Sequence, residues 1–72
     1  MAYDYSILNG KIVEVCKTRS EFAKRMNISE RTLSLKLGGK VSWKQPEMVR
    51  ACKVLNIPHK DIPSYFFKLK VQ

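Results

Sequence analysis

Histidine, cysteine and carboxylates are scarce in this 72-residue chain, and their scarcity excludes most chemistry. The single histidine, His59, stands beside Pro58, and the two cysteines, Cys16 and Cys52, lie far apart in sequence. That leaves no set with zinc-ligand spacing and no Cys/His nucleophile pair. Six acidic residues are scattered singly, so no paired carboxylates suggest acid–base work. Only three glycines are present, and Gly38-Gly39 is followed by Lys40-Val41 rather than by the Lys-Ser/Thr of a phosphate-binding loop. No enzyme activity, cofactor or metal is therefore expected. The longest apolar runs, such as Tyr65-Phe66-Phe67, fall far short of the roughly 20 residues that cross a bilayer. Met-Ala-Tyr-Asp-Tyr at the start lacks the basic residues and apolar stretch of a secretory signal, so a cytoplasmic location is expected. One bridge between Cys16 and Cys52 would be thin support for a secreted domain this small, and both are expected as reduced thiols in the core.

What the chain does have is positive charge: 14 Lys plus Arg against 6 Asp plus Glu, a net +8. Its distribution is uneven, net −1 over residues 1–16, +5 over 17–40 and +4 over 41–72. Such concentration is the footprint of a nucleic-acid binder, because each cation that neutralises a phosphate releases counterions. The same field would attract an acidic protein. At 44% apolar residues the chain can build one core, although a domain this size buries only about 60% of its unfolded surface.

Apolar spacing predicts helices throughout. Ser6 can cap a first helix in which Leu8, Ile12, Val15 and Cys16 recur on one face. Thr18-Arg19-Ser20-Glu21 reads as a capping box for a second, with Phe22, Ala23 and Met26 inward. Asn27 tolerates the left-handed backbone that would end it. Ser29 then caps a third helix, with Ile28 and Leu33 as a hydrophobic staple, Leu37 on the same stripe and Gly38-Gly39 as the stop. Two short helices joined by about three residues have helix-turn-helix spacing. A fourth helix carries Pro46 and Glu47 in its first turn and Met48, Ala51, Cys52 and Leu55 inward. Asp61 can cap a last short helix holding Ile62, Pro63 and Tyr65-Phe66. Phe67 to Val71 alternates apolar and polar residues, as a strand would. The expected fold is all-α: one small five-helix domain over residues 1–72, its motif at about 18–38, its tail at 68–72 extended or disordered.

The run Glu21-Phe22-Ala23-Lys24-Arg25-Met26-Asn27-Ile28-Ser29-Glu30-Arg31-Thr32-Leu33-Ser34, followed by Leu37-Gly38-Gly39-Lys40, resembles the helix-turn-helix of phage repressor and Cro-type regulators. In length, basicity and its Ile62, Tyr65-Phe66-Phe67 ending, the chain is similar to the short Cro-like antirepressors of temperate lactococcal phages. The likeness implies a lambda-repressor-like domain, a bacterial host cell and a role in a phage genetic switch. Asn27 departs from the glycine usual at that turn, at some cost, since asparagine can adopt the same positive φ.

In a helix-turn-helix the second helix enters the major groove. The face expected to bind is Arg19, Ser29, Glu30, Arg31, Ser34 and Leu35. Arg31 would suit guanine, Glu30 a cytosine amino group and Leu35 a thymine methyl. Glu30 also suits the first turn of a helix simply as an anion. Leu35 lies roughly 200° around the helix from both Leu33 and Leu37 and so points outward. Lys36, Lys40 and Lys44 are expected to hold phosphates, although cations suit a helix C-terminus in any case. Trp43 is expected to pack over the loop, and Tyr65 to Phe67 to serve the core or self-association.

Two readings follow. In one, the protein is a Cro-like transcriptional repressor that dimerises through its alternating tail and reads double-stranded operator DNA directly. In the other, Leu35, Arg31 and their neighbours engage a protein, which the resemblance identifies as the phage lysogeny repressor, with DNA bound jointly if at all. Only Arg31 on the outer face is a common base reader, and a carboxylate facing phosphates is an electrostatic burden. An apolar residue among opposite charges favours the protein-binding reading.

Overall fold

A computed structural model describes residues 3–69. Five α-helices follow one another, α1 (Ser6–Cys16), α2 (Arg19–Met26), α3 (Glu30–Leu37), α4 (Gln45–Leu55) and α5 (Ile62–Phe66), with a 3₁₀ turn at His59–Asp61 before the last. The all-α expectation holds, and no strand forms among the described residues.

The local start and stop signals mostly act as the sequence implies. Leu8, Ile12 and Cys16 are buried at successive turns of α1. The Thr18 hydroxyl accepts the Glu21 N–H at 3.1 Å, starting α2. Asn27, at φ 60°, ends α2 in the left-handed region, and the Ile28 N–H returns to the Ala23 carbonyl. The Ser29 hydroxyl accepts the Thr32 N–H at 3.0 Å and starts α3. Ile28 and Leu33 both join the core, Leu33 fully buried. After α3 it is Gly39, at φ 80°, that takes the left-handed step, while Gly38 remains right-handed.

Three details differ from expectation. Ser6 is the first residue of α1 rather than its cap, because the Asp4 carboxylate two residues earlier accepts the Ser6 N–H at 2.8 Å. Thr18 and Glu21 form half a capping box, since the Glu21 carboxylate turns to Arg25 at 2.9 Å. Asp61 makes no side-chain cap to α5; the 3₁₀ turn leads the backbone into the helix instead.

The core gathers Phe22, Ala23 and Met26 of α2, Leu33 of α3 and Met48, Ala51, Cys52 and Leu55 of α4 around Leu8 and Ile12. Both cysteines are buried and free, and burial raises the Cys52 thiol above its ordinary value, so it stays protonated. Trp43 packs as expected, edge-on to Phe66 with ring centroids 5.1 Å apart. Of the aromatic run, Phe66 is buried, Tyr65 half-buried and Phe67 exposed.

The tail pairs within its own chain. Leu69 forms an isolated antiparallel bridge with Tyr3, and the Asp4 N–H donates to the Lys68 carbonyl at 2.6 Å. Part of the edge expected to meet a second copy is thus occupied, and residues 70–72 of that tail lie outside the described residues.

Candidate functional site

Periodicity decides which side of α3 is free. Leu33 turns inward and is fully buried, while Glu30, Arg31, Ser34 and Leu35 turn outward. Leu35 stands 36% exposed on the outer side of this helix. Neither Glu30 nor Arg31 has an ion-pair partner among the described residues. The resulting face has opposite charges at its start and an apolar spot one turn further on. Such a surface can meet a protein, and its arginine can reach an anion or a guanine.

Arg19 lies at the start of α2, exposed, and its Nε donates to Asn9 Oδ1 at 2.9 Å. That bond ties α2 to α1 and orients a guanidinium whose outer nitrogens remain available. Asn9 was not singled out by pattern, because a contact between separate helices leaves no mark in local spacing.

Ser29 is present at the site but its hydroxyl is used. It accepts the Thr32 N–H and donates to Thr32 Oγ1 at 2.8 Å, so it caps the helix while staying exposed at the face.

The structure gives Lys36 a different role from the one expected. Expected to hold a phosphate, it is 2% exposed. Its ammonium donates to Glu47 Oε1 at 2.8 Å and to the Ser42 carbonyl at 3.0 Å, and lies 5.6 Å from the centre of the Trp43 ring. Lys36 is three positions from Leu33 and one from Leu37, so the inward stripe of α3 carries it under the loop. With its charge paired and desolvated, it fixes the loop between α3 and α4 and cannot reach a ligand. Lys40 and Lys44 do stay exposed, Lys40 in that loop and Lys44 at the start of α4.

Glu47, unremarked in the sequence beyond its place in a first turn, is the hub of this loop. Its Oε1 also accepts the Lys44 backbone N–H at 2.8 Å, completing the start of α4. Burial alone would raise the Glu47 carboxyl, but hydrogen bonds from Lys36 and the Lys44 N–H, with the charges of both lysines, outweigh it and hold the group below the ordinary carboxylate value. Arg50 likewise acts structurally, its Nη1 donating to the Met26 carbonyl at 3.0 Å across the end of α2. No group of three or more His, Cys, Asp or Glu side chains able to hold a metal occurs among the described residues. No helix among them is long and apolar enough to cross a membrane.

The structure thus brings Glu30, Arg31, Ser34 and Leu35 onto one exposed helix face, leaves Arg19, Ser29, Lys40 and Lys44 exposed, and buries Lys36. Residues 1–69 match a protein family described as "protein of unknown function (DUF739)". No curated protein matches. Among solved structures the chain is similar to the solution structure of the modulator of repression (MOR) of the temperate bacteriophage TP901-1 from Lactococcus lactis. The two share 54% sequence identity with a TM-score of 0.83, over 100% of this chain and 97% of that one.

Proposed function

This chain belongs to the DUF739 family, and from its end-to-end likeness to a phage modulator of repression we propose that it modulates repression in a phage genetic switch by binding the phage lysogeny repressor. The observation that carries the role is that likeness, which extends over the whole chain rather than over one motif. The face we assign to the partner is that of Glu30, Arg31, Ser34 and Leu35, flanked by Arg19. A desolvated leucine can anchor a small interface, and an arginine beside it adds specificity. The cluster around Lys36 supports the same reading: it holds the loop after α3 rigidly, so the face is presented with little ordering cost on binding. DNA enters this reading only jointly with the repressor, and the protein acts in the bacterial host's cytoplasm.

The test is a titration of the purified protein into labelled switch-region DNA at low and moderate salt, with and without the repressor encoded beside it. Weak, strongly salt-dependent binding alone, with a changed or lost complex once repressor is added, supports modulation through protein contact. Tight, sequence-specific binding by the protein alone would instead make it a Cro-like operator reader, and the exposed Arg31 is the residue that would then sit at the bases.

A further inference from the structure

A second apolar surface is built from different helices than the face assigned above. Gln45, Met48 and Val49 of α4, with Ile62 of α5 and the following Phe67, line a groove of about 250 Å³. None of its lining residues belongs to α2 or α3, and α5 packs only on α1, α4 and the 3₁₀ turn among the pairs of helices in substantial contact. Val49 is 37% and Phe67 45% exposed, so two large apolar side chains frame an open slot whose only polar lining residue is Gln45.

The exposed charges next to the lining residues in sequence are cations. Lys44 precedes Gln45, Lys53 lies one helical turn beyond Val49 and Lys68 follows Phe67, and all three are exposed. Between residues 44 and 68 the chain holds only two carboxylates. Glu47 is taken by Lys36, and Asp61, the last residue of the 3₁₀ turn and the one before Ile62, is half-buried. A second copy of this chain, itself +8, would bring like charges together here. A concave slot takes protruding side chains of a partner helix, with cations placed to meet carboxylates around them.

We propose that the α4–α5 groove docks an acidic amphipathic helix of a second protein, its apolar stripe seated between Val49 and Phe67 and its carboxylates facing Lys44, Lys53 and Lys68. This site is separate from the α3 face and stands whether or not that face binds a repressor.

The experiment titrates the isotope-labelled full chain with a peptide of about 18 residues, long enough to hold a helix when bound, with leucine on one stripe and glutamate elsewhere. The expected result is amide shifts centred on Gln45, Met48, Val49, Ile62 and Phe67 that weaken as salt rises. A matching peptide with lysine for glutamate should cause none. Val49→Glu should weaken binding at least about tenfold, as loss of a central apolar contact does. Lys53→Glu, which leaves the apolar slot intact, should weaken it several-fold even if the first variant fails to fold. Leu35→Glu should leave the peptide-induced shifts in place, which separates this site from the α3 face. Shifts centred on α3, an equal response to the lysine peptide, or unchanged binding by Lys53→Glu would overturn the proposal. So would concentration-dependent broadening without peptide, which would make the occupant a second copy, or stronger shifts from anionic phospholipid vesicles than from the peptide.

Discussion

Burying the Lys36 ammonium takes a full charge out of water, and the Glu47 carboxylate, the Ser42 carbonyl and the Trp43 ring together compensate it. Removing one member should therefore cost more than removing both. Lys36→Met should destabilise the protein by about 3 kcal/mol, the low end for a broken buried pair because Glu47 retains some solvent access. Adding Glu47→Gln, which keeps an acceptor for the Lys44 N–H, should recover part of that loss in chemical denaturation. Strict additivity of the two changes would show that the pair is not coupled. Leu35 is the opposite case, an apolar side chain outside the core. Leu35→Glu should leave the melting temperature close to that of the parent and abolish repressor binding by calorimetry; retained binding by the folded variant would remove Leu35 from the interface. Lys36 sits three positions after Leu33 on the inward side of α3, whereas Lys40 lies in the loop beyond the helix. The meeting of that position with Glu47 of α4 is what turns it into a buried ion pair.

Within the elements, the signals that work are those whose two partners lie within about four residues. The Thr18 and Ser29 hydroxyls each take an N–H three positions on, so Thr18→Ala and Ser29→Ala should each cost about 1 kcal/mol. Glu21→Gln should cost much less, because its carboxylate serves an exposed pair with Arg25 rather than the cap. Equal losses from Thr18→Ala and Glu21→Gln by urea denaturation would mean the box closes in solution. Asn27→Ala should cost about 1 kcal/mol or more, since alanine meets the left-handed backbone at φ 60° without the local hydrogen bonding asparagine offers. The same short range explains why the start of α1 was displaced: Asp4 and Ser6 are both good capping residues two positions apart. The sequence does not say which of them faces the first free N–H.

Charge and pH act on the molecule as a whole. The Glu47 carboxyl holds its proton less tightly folded than unfolded, so its contribution to stability is complete above about pH 4.5, the ordinary value, and is lost as pH falls through the lower folded value. Acid titrations followed by circular dichroism should show the parent losing stability in that window and Glu47→Gln losing less. A flat profile for both would mean Glu47 is not linked to folding. The net +8 should make any DNA association by the protein alone fall steeply with salt, by a similar factor on every sequence. If an operator is read directly, Arg31→Ala should instead cost about 1 to 3 kcal/mol and relax specificity at one base pair.

Helix count, helix faces, the left-handed turn at Asn27 and the outward direction of Leu35 were determined by the sequence alone, because hydrophobic period and capping are short-range and each helix obeys them independently. Tertiary packing decided the rest. It placed Lys36 against Glu47 eleven residues away, tied Arg19 to Asn9, turned the tail back to Tyr3 and opened the groove between α4 and α5. Each of these depends on how two separate elements meet, and the angle between packed helices is set by the whole core at once rather than by any stretch of it.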